Sequence, residues 1–156
     1  MKIAGLEIEA PSVEILVIPR DKVDVIIRAK PIMNYDEFDK LCPEPKPPVK
    51  IYPKQGEVED VNDPKFKKAH DEWAESKGHY MFIESLSATK DLEWATIDMS
   101  DSSTWSNYEN ELKAIFTPGE VYGIQNLVMT VCGLNSDRMD EATKSFLAAQ
   151  AVAPSE

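Results

Sequence analysis

The apolar residues change their spacing along the chain at a proline-rich stretch, residues 43–48. Before it they recur at every second position, as in a half-buried strand, and after residue 64 they recur at every third or fourth position, as in amphipathic helices. This pattern predicts an α+β fold, with an N-terminal β-hairpin or small sheet followed by a C-terminal bundle of about four helices. The predicted parts are a β-rich segment 1–42, a Pro-rich connector 43–63, a helical domain 64–150 and a flexible tail 151–156.

The N-terminal hairpin is expected to be apolar on both faces. In the first run, Val13, Ile15 and Val17 fall on one side and Leu16 and Ile18 on the other, and a second run covers residues 23–28 after a turn at 19–22. One face can meet the protein's own core, so the other needs a different cover. We expect a partner or another subunit to contact Leu16, Ile18 and Ile26.

Two helix starts stand out in the sequence. Asp63 precedes Pro64, the pairing of an N-cap residue with a proline at the first helical position. Thr117 and Glu120 have the spacing of a capping box, in which each side chain binds a backbone N–H group at the helix start. A short helical turn is expected at residues 34–41. The connector is expected to run extended, and Gly133 to end the third long helix.

The charge of the chain excludes some partners and suggests others. With 17 Lys and Arg against 28 Asp and Glu, the net charge is −11, which disfavours binding to nucleic acids and to anionic membranes. The stretch from Asp91 to Glu120 holds seven acids and one base, and is a candidate docking face for a basic partner. A solvated acidic surface is the more common meaning of such a run. Trp94, with Asp91 and Glu93 beside it, is a candidate interface anchor.

The two cysteines, Cys42 and Cys132, are far apart, which is typical of reduced thiols and not of a disulfide framework. The N-terminal residues lack the pattern of a signal peptide, and no apolar run reaches the length of a membrane helix. We therefore expect a cytoplasmic protein.

No motif for catalysis or for a cofactor is apparent. The only histidines are His70 and His79, and neither has a companion serine or cysteine in a recognisable nucleophile motif. Asp71, Glu75 and His79 share one helix face at four-residue spacing, but a solvated helix surface explains them better than a metal site. The sequence predicts no catalytic residue, no metal and no cofactor, so we expect a protein that is not an enzyme.

The order of elements resembles that of a known family. The strand 13–20, the Pro-rich 42–49, the helix start at 62–66, the segment 116–121 and the closing helix 140–146 resemble the tail assembly chaperones of long-tailed, siphovirus-like bacteriophages. The resemblance implies a small, acidic, non-enzymatic protein of the host cytoplasm, made as a short or a frameshifted long form. It also implies binding to the phage tape measure protein and recruitment of tail tube subunits. A homo-oligomer is a further expectation.

An alternative function is that of a structural virion component, such as a head-to-tail connector or a tail accessory protein. Its hairpin would join the sheet of a neighbouring protein by strand addition. An enzyme is the third and least favoured alternative, because it would require a cleft with a cluster of acids or histidines of shifted pKa.

Overall fold

The computed structural model describes the backbone of residues 1–152 and the side chains of residues 1–149. It confirms the α+β fold class: three two-stranded antiparallel sheets lie in the N-terminal part and four of the five α-helices follow them. The strands are β1 Lys2–Ile3, β2 Leu6–Glu7, β3 Glu14–Ile18, β4 Val25–Ala29, β5 Val49–Tyr52 and β6 Gly56–Glu59. The helices are α1 Asp36–Leu41, α2 Pro64–Leu86, α3 Asn107–Ile115, α4 Pro118–Val131 and α5 Ser136–Val152.

The β3–β4 hairpin presents one face to the core and the other to solvent. Its register pairs Leu16 with Ile27 and Val17 with Ile26. The core face carries Ile18 and Ile27, which are 4% and 6% exposed, together with Leu16, Val25 and Ala29. The expectation that Leu16 and Ile18 meet a partner is therefore wrong, because the register places both on the core face. The outer face carries Ile15, Val17 and Ile26, all exposed.

The strands and the helices share one hydrophobic core. Phe38 of α1 is fully buried, and its ring centroid lies 5.5 Å from that of Tyr80 and 6.1 Å from that of Trp105. Ile18 and Ile27 belong to the same cluster as Ile124 and Val128 of α4. Residues on both sides of the Pro-rich connector thus contribute to a single packed interior.

The connector contains a third hairpin, β5–β6, where an extended run was expected. Val49 pairs with Glu59 and Tyr52 pairs with Gly56, which has a φ of 74°. All eight residues of the two strands are exposed. Each strand alternates only briefly between prolines and charged residues, and the register then places apolar residues of one strand on the same face as charged residues of the other.

The helix termini follow the predicted signals. The Asp63 side chain accepts the Phe66 N–H at 2.9 Å, and Thr117 and Glu120 form the reciprocal capping box. The third long helix, α4, ends as expected before Gly133, whose φ is 72°. Helix α5 extends to Val152, so the predicted tail is helical at residues 151 and 152, and residues 153–156 lie outside the described part.

Candidate protein-binding site

An apolar groove of about 320 Å³ lies between β4, the loop after α2, and the end of α3. Three of the residues predicted to bind a partner line it: Ile26, Asp91 and Trp94. Ile26 is 44% exposed and Ile115, on the opposite wall, is 72% exposed. The remaining lining residues are Val25, Ile27, Leu86, Thr89, Lys90, Leu92, Leu112, Phe116 and Ile124. We call this feature the β4 groove.

Two hydroxyl side chains of α2 and its C-terminal turn fix β4 in place. The Thr89 hydroxyl accepts the Arg28 N–H at 2.8 Å and donates to the Arg28 carbonyl at 2.9 Å. One turn earlier, the Ser85 hydroxyl donates to the Lys30 carbonyl, and the Lys30 N–H donates to the Ser85 carbonyl. These contacts satisfy the outward backbone groups of Arg28 in β4 and of Lys30 just after it, so the strand wall of the groove is anchored at its C-terminal end.

The loop after α2 forms the second wall of the groove, and Trp94 and Asp91 define its shape. Trp94 is half-buried and packs against the core, and Asp91 has a φ of 55°. Behind the loop, the Glu111 carboxylate accepts the N–H groups of Ala95 and Thr96 at 2.9 and 2.7 Å. Desolvation acts to raise the pKa of Glu111, but the hydrogen bond from the Thr96 hydroxyl and those from the two N–H groups outweigh it and hold the pKa below its usual value. Trp94 is thus held in place, with part of its ring accessible in the groove.

The corner between α3 and α4 closes the groove near Phe116. The Arg20 guanidinium lies 5.8 Å from the Phe116 ring centroid and forms two hydrogen bonds with the Glu120 carboxylate. The hydrogen bond from Arg20 and then that from the Thr117 N–H lower the pKa of Glu120 to about 2. The turn of the β3–β4 hairpin is thereby tied to the start of α4.

The acidic run does not form one continuous docking face. Five of its seven acids bind groups of their own chain and serve local structure: Asp98, Asp101, Glu109, Glu111 and Glu120. Asp91 and Glu93 are the other two, and both side chains are exposed. The Asp91 carboxylate lies 3.9 Å from the Lys90 ammonium, and Glu93 has no ion-pair or hydrogen-bond partner among the described side chains. Within this run, the acids that are free to meet a partner are therefore Asp91, which lines the β4 groove, and Glu93 in the same loop.

Most residues of the β4 groove were not predicted from the sequence, although two sequence features point to members of it. Arg28 shares a strand face with Ile26, and a charged residue marks the face that stays at the surface. Ile115 lies at the end of α3, just before the Thr117 capping box. The apolar stripe of the helix continues there beyond the part that the core covers. The role of Thr89 had no sequence signal, because it depends on the position of α2 beside β4.

The residues considered for chemistry are not brought together. Asp71 and Glu75 are exposed on α2, whereas the His79 ring lies 5.7 Å from the Tyr108 ring centroid. Within residues 1–149, no three His, Cys, Asp or Glu side chains cluster in a way that could hold a metal ion. Cys42 and Cys132 are both half-buried free thiols. No helix in the described part is long and apolar enough to span a membrane.

Comparison with known proteins finds no matching family model, no matching curated protein and no matching solved structure. The arrangement of the groove therefore carries the functional argument.

Proposed function

We propose that this is a non-enzymatic protein-binding protein that holds a segment of its partner in the β4 groove. The single observation that supports the proposal is the groove itself, which combines exposed apolar side chains on a fixed backbone with Asp91 in its lining and the exposed Glu93 in the same loop. A half-exposed Trp among apolar residues is typical of the anchor region of an interface. These two acids of the loop favour a partner segment that carries basic residues.

The biological setting that we propose is phage tail assembly in the host cytoplasm. The partners would be the tape measure protein, which the groove would bind, and the tail tube protein, recruited in a later step. This assignment derives from the resemblance in element order. A net charge of −11 and exposed apolar residues on β3, β4 and α5 are compatible with a protein that transiently masks sticky segments of a partner.

The test is capture of the tape measure protein from co-expressing cells by wild type and by matched surface variants. Ile26→Ser removes an apolar side chain from the groove, whereas Val58→Ser removes one of similar exposure from β6, which does not line the groove. We expect Ile26→Ser and Trp94→Ala to reduce capture at least tenfold and Val58→Ser to leave it unchanged. Equal capture by all four proteins would refute the groove as the binding site, and no capture by wild type would refute the partner.

A structural virion component is the second candidate, and the outer edge of β3 favours it. Val17 pairs with Ile26 and Ile15 with Arg28, and in both pairs the strand register turns the backbone groups away from the partner strand. Ile15 and Val17 are 56% and 53% exposed, so β3 offers an edge to a neighbour's sheet. A virion component should be present at fixed copy number in purified particles, and Val17→Ser should reduce its incorporation. A chaperone should be absent from them.

A further inference from the structure

The backbone of β4 points alternately toward β3 and away from it. In an antiparallel pair, the residues of every second pair direct N–H and C=O outward. Arg28 is such a residue, and Lys30, just after the strand, continues the alternation, because their backbone groups bind Thr89 and Ser85 on the side opposite β3. The outward edge of β4 is therefore defined by observed hydrogen bonds, and helix α2 with its C-terminal turn covers it at both positions.

Ile26 is the next residue of this outward series. It pairs with Val17 two positions before the Arg28 pair, so its N–H and C=O face the same way as those of Arg28. The chain leaves the β4 edge after Thr89 and continues through Lys90 and Asp91, and the β4 groove opens there. The register turns both backbone groups of Ile26 away from β3, and within the described residues neither forms a hydrogen bond outside the β3–β4 ladder. An open strand edge thus lies directly inside an apolar groove.

We propose that the groove binds an extended segment of the partner protein, which adds to β4 as a third strand by pairing its backbone with Ile26. This inference rests on the proposed function and specifies how the groove binds. A helical segment would leave the Ile26 groups unpaired, because the backbone groups of a helix bond within the helix. An extended segment satisfies them and directs alternate side chains into the groove.

The volume and the charge of the site define the chemistry of that segment. A volume of about 320 Å³ is at the lower end of ligand pockets, which suits one aromatic or large aliphatic side chain. Lys90, Asp91 and Glu93 together give the adjacent loop a net charge of −1, in a chain of net charge −11. The favoured ligand is therefore an apolar residue with a basic residue two positions away, on the same side of the strand.

A synthetic ligand tests the strand pairing directly. The probe is the capped pentapeptide Thr-Phe-Thr-Lys-Thr, titrated against the full chain with backbone amide shifts as the readout. Two further versions carry an N-methyl group, one on the Phe nitrogen and one on the following Thr nitrogen. In a strand added at one edge, only one of these two amides faces β4, so we expect one methylation to weaken binding about tenfold and the other to have little effect. Equal affinity of the two methylated peptides, or no binding of the parent peptide, would overturn the proposal.

A matched pair of variants tests the same step from the protein side. Ile26→Ala and Ile26→Pro both shorten the side chain, but only proline removes the N–H group, which β3 does not use. We expect Ile26→Pro to bind the peptide about tenfold more weakly than Ile26→Ala. Equal binding by two variants with unchanged unfolding midpoints would refute strand pairing. Capture of the tape measure protein that still depends on Ile26 and Trp94 would then leave the proposed function intact, so the two failures are distinguishable.

Discussion

Two hairpins of nearly equal length have opposite roles in this fold. The β3–β4 hairpin buries Ile18, Ile27 and Ala29 and is part of the core, whereas every residue of β5 and β6 is exposed. Both are antiparallel, and both contain alternating apolar residues. Strand pairing alone therefore does not make a hairpin part of a core.

The difference lies in how the register distributes charge between the two faces. The core face of β3–β4 carries only apolar residues apart from Glu14 at its end, whose carboxylate binds Arg138 at 2.9 Å. In β5–β6, the register places Glu57 and Glu59 on the same face as Val49 and Ile51. Neither face of this hairpin can be buried without desolvating a charge, which costs more than the apolar residues contribute.

The largest predicted effect compares two isoleucines, one in each hairpin. Ile27→Ala should lower the free energy of unfolding by about 2–5 kcal/mol, because it leaves a cavity in the core. Ile51→Ala, at a residue that is 80% exposed, should change it by less than about 0.5 kcal/mol. Denaturant unfolding of both variants measures the difference. Similar costs at the two positions would contradict the contrast between the hairpins.

A smaller effect is expected from the hydroxyl that ties β4 to the C-terminal turn of α2. Thr89→Val keeps the shape of the side chain but leaves the Arg28 N–H and C=O without their partner, at a cost of about 1–3 kcal/mol. Thr143→Val, on the exposed α5, removes a hydroxyl that contacts only the Met139 carbonyl and serves as the control. If the two variants unfold at the same denaturant concentration, Thr89 does not anchor the strand.

The tie between the β3–β4 turn and α4 should make stability depend on pH. Hydrogen bonds from Arg20 and Thr117 lower the pKa of Glu120 from 4.5 to about 2 in the folded state. The stabilisation is then fully present above pH 4.5 and is lost as the pH falls toward about 2. Glu120→Gln retains a capping side chain without the charge. The stability difference between wild type and this variant should shrink across that range, and a constant difference would exclude the Glu120 charge as its source.

The smallest effect is expected in the exposed hairpin. Lys50 of β5 forms an ion pair with Asp60, just after β6, and the pair lowers the pKa of Asp60. Because the lysine is solvated, Lys50→Ala should leave the unfolding midpoint unchanged. A clear drop in the midpoint would mean that β5–β6 contributes to global stability.

The sequence was sufficient for features that depend on local signals. The fold class, the Asp63 cap, the Thr117–Glu120 capping box and the end of α4 before Gly133 are all confirmed. These features depend on neighbouring residues, whose geometry a short sequence pattern determines.

The prediction of which face of β3 meets the core was wrong, because that choice depends on how β3 pairs with β4 and packs in the fold. Leu16 and Ile18 were separated correctly from Ile15 and Val17, but the register with β4 decides which set meets the core. Glu14 lies on the same face as Leu16 and Ile18, and its charge would indicate that this face is at the surface, whereas it is the core face. The groove likewise required the positions of α2, α3 and β4 relative to one another, so only Ile26, Asp91 and Trp94 of its lining were found.

The α2 segment closes the outward edge at Arg28 of β4 and at Lys30 just after it, and leaves the edge open at Ile26. Residue-resolved amide hydrogen exchange of the free protein distinguishes the closed positions from the open one. We predict slow exchange at Arg28 and Lys30 and fast exchange at Ile26, which lies nearer the β3–β4 turn. We also predict fast exchange throughout β5 and β6. Slow exchange at Ile26 in the free protein, equal to that at Arg28, would mean that the edge proposed to receive a partner strand is already occupied, and would refute strand addition at this position.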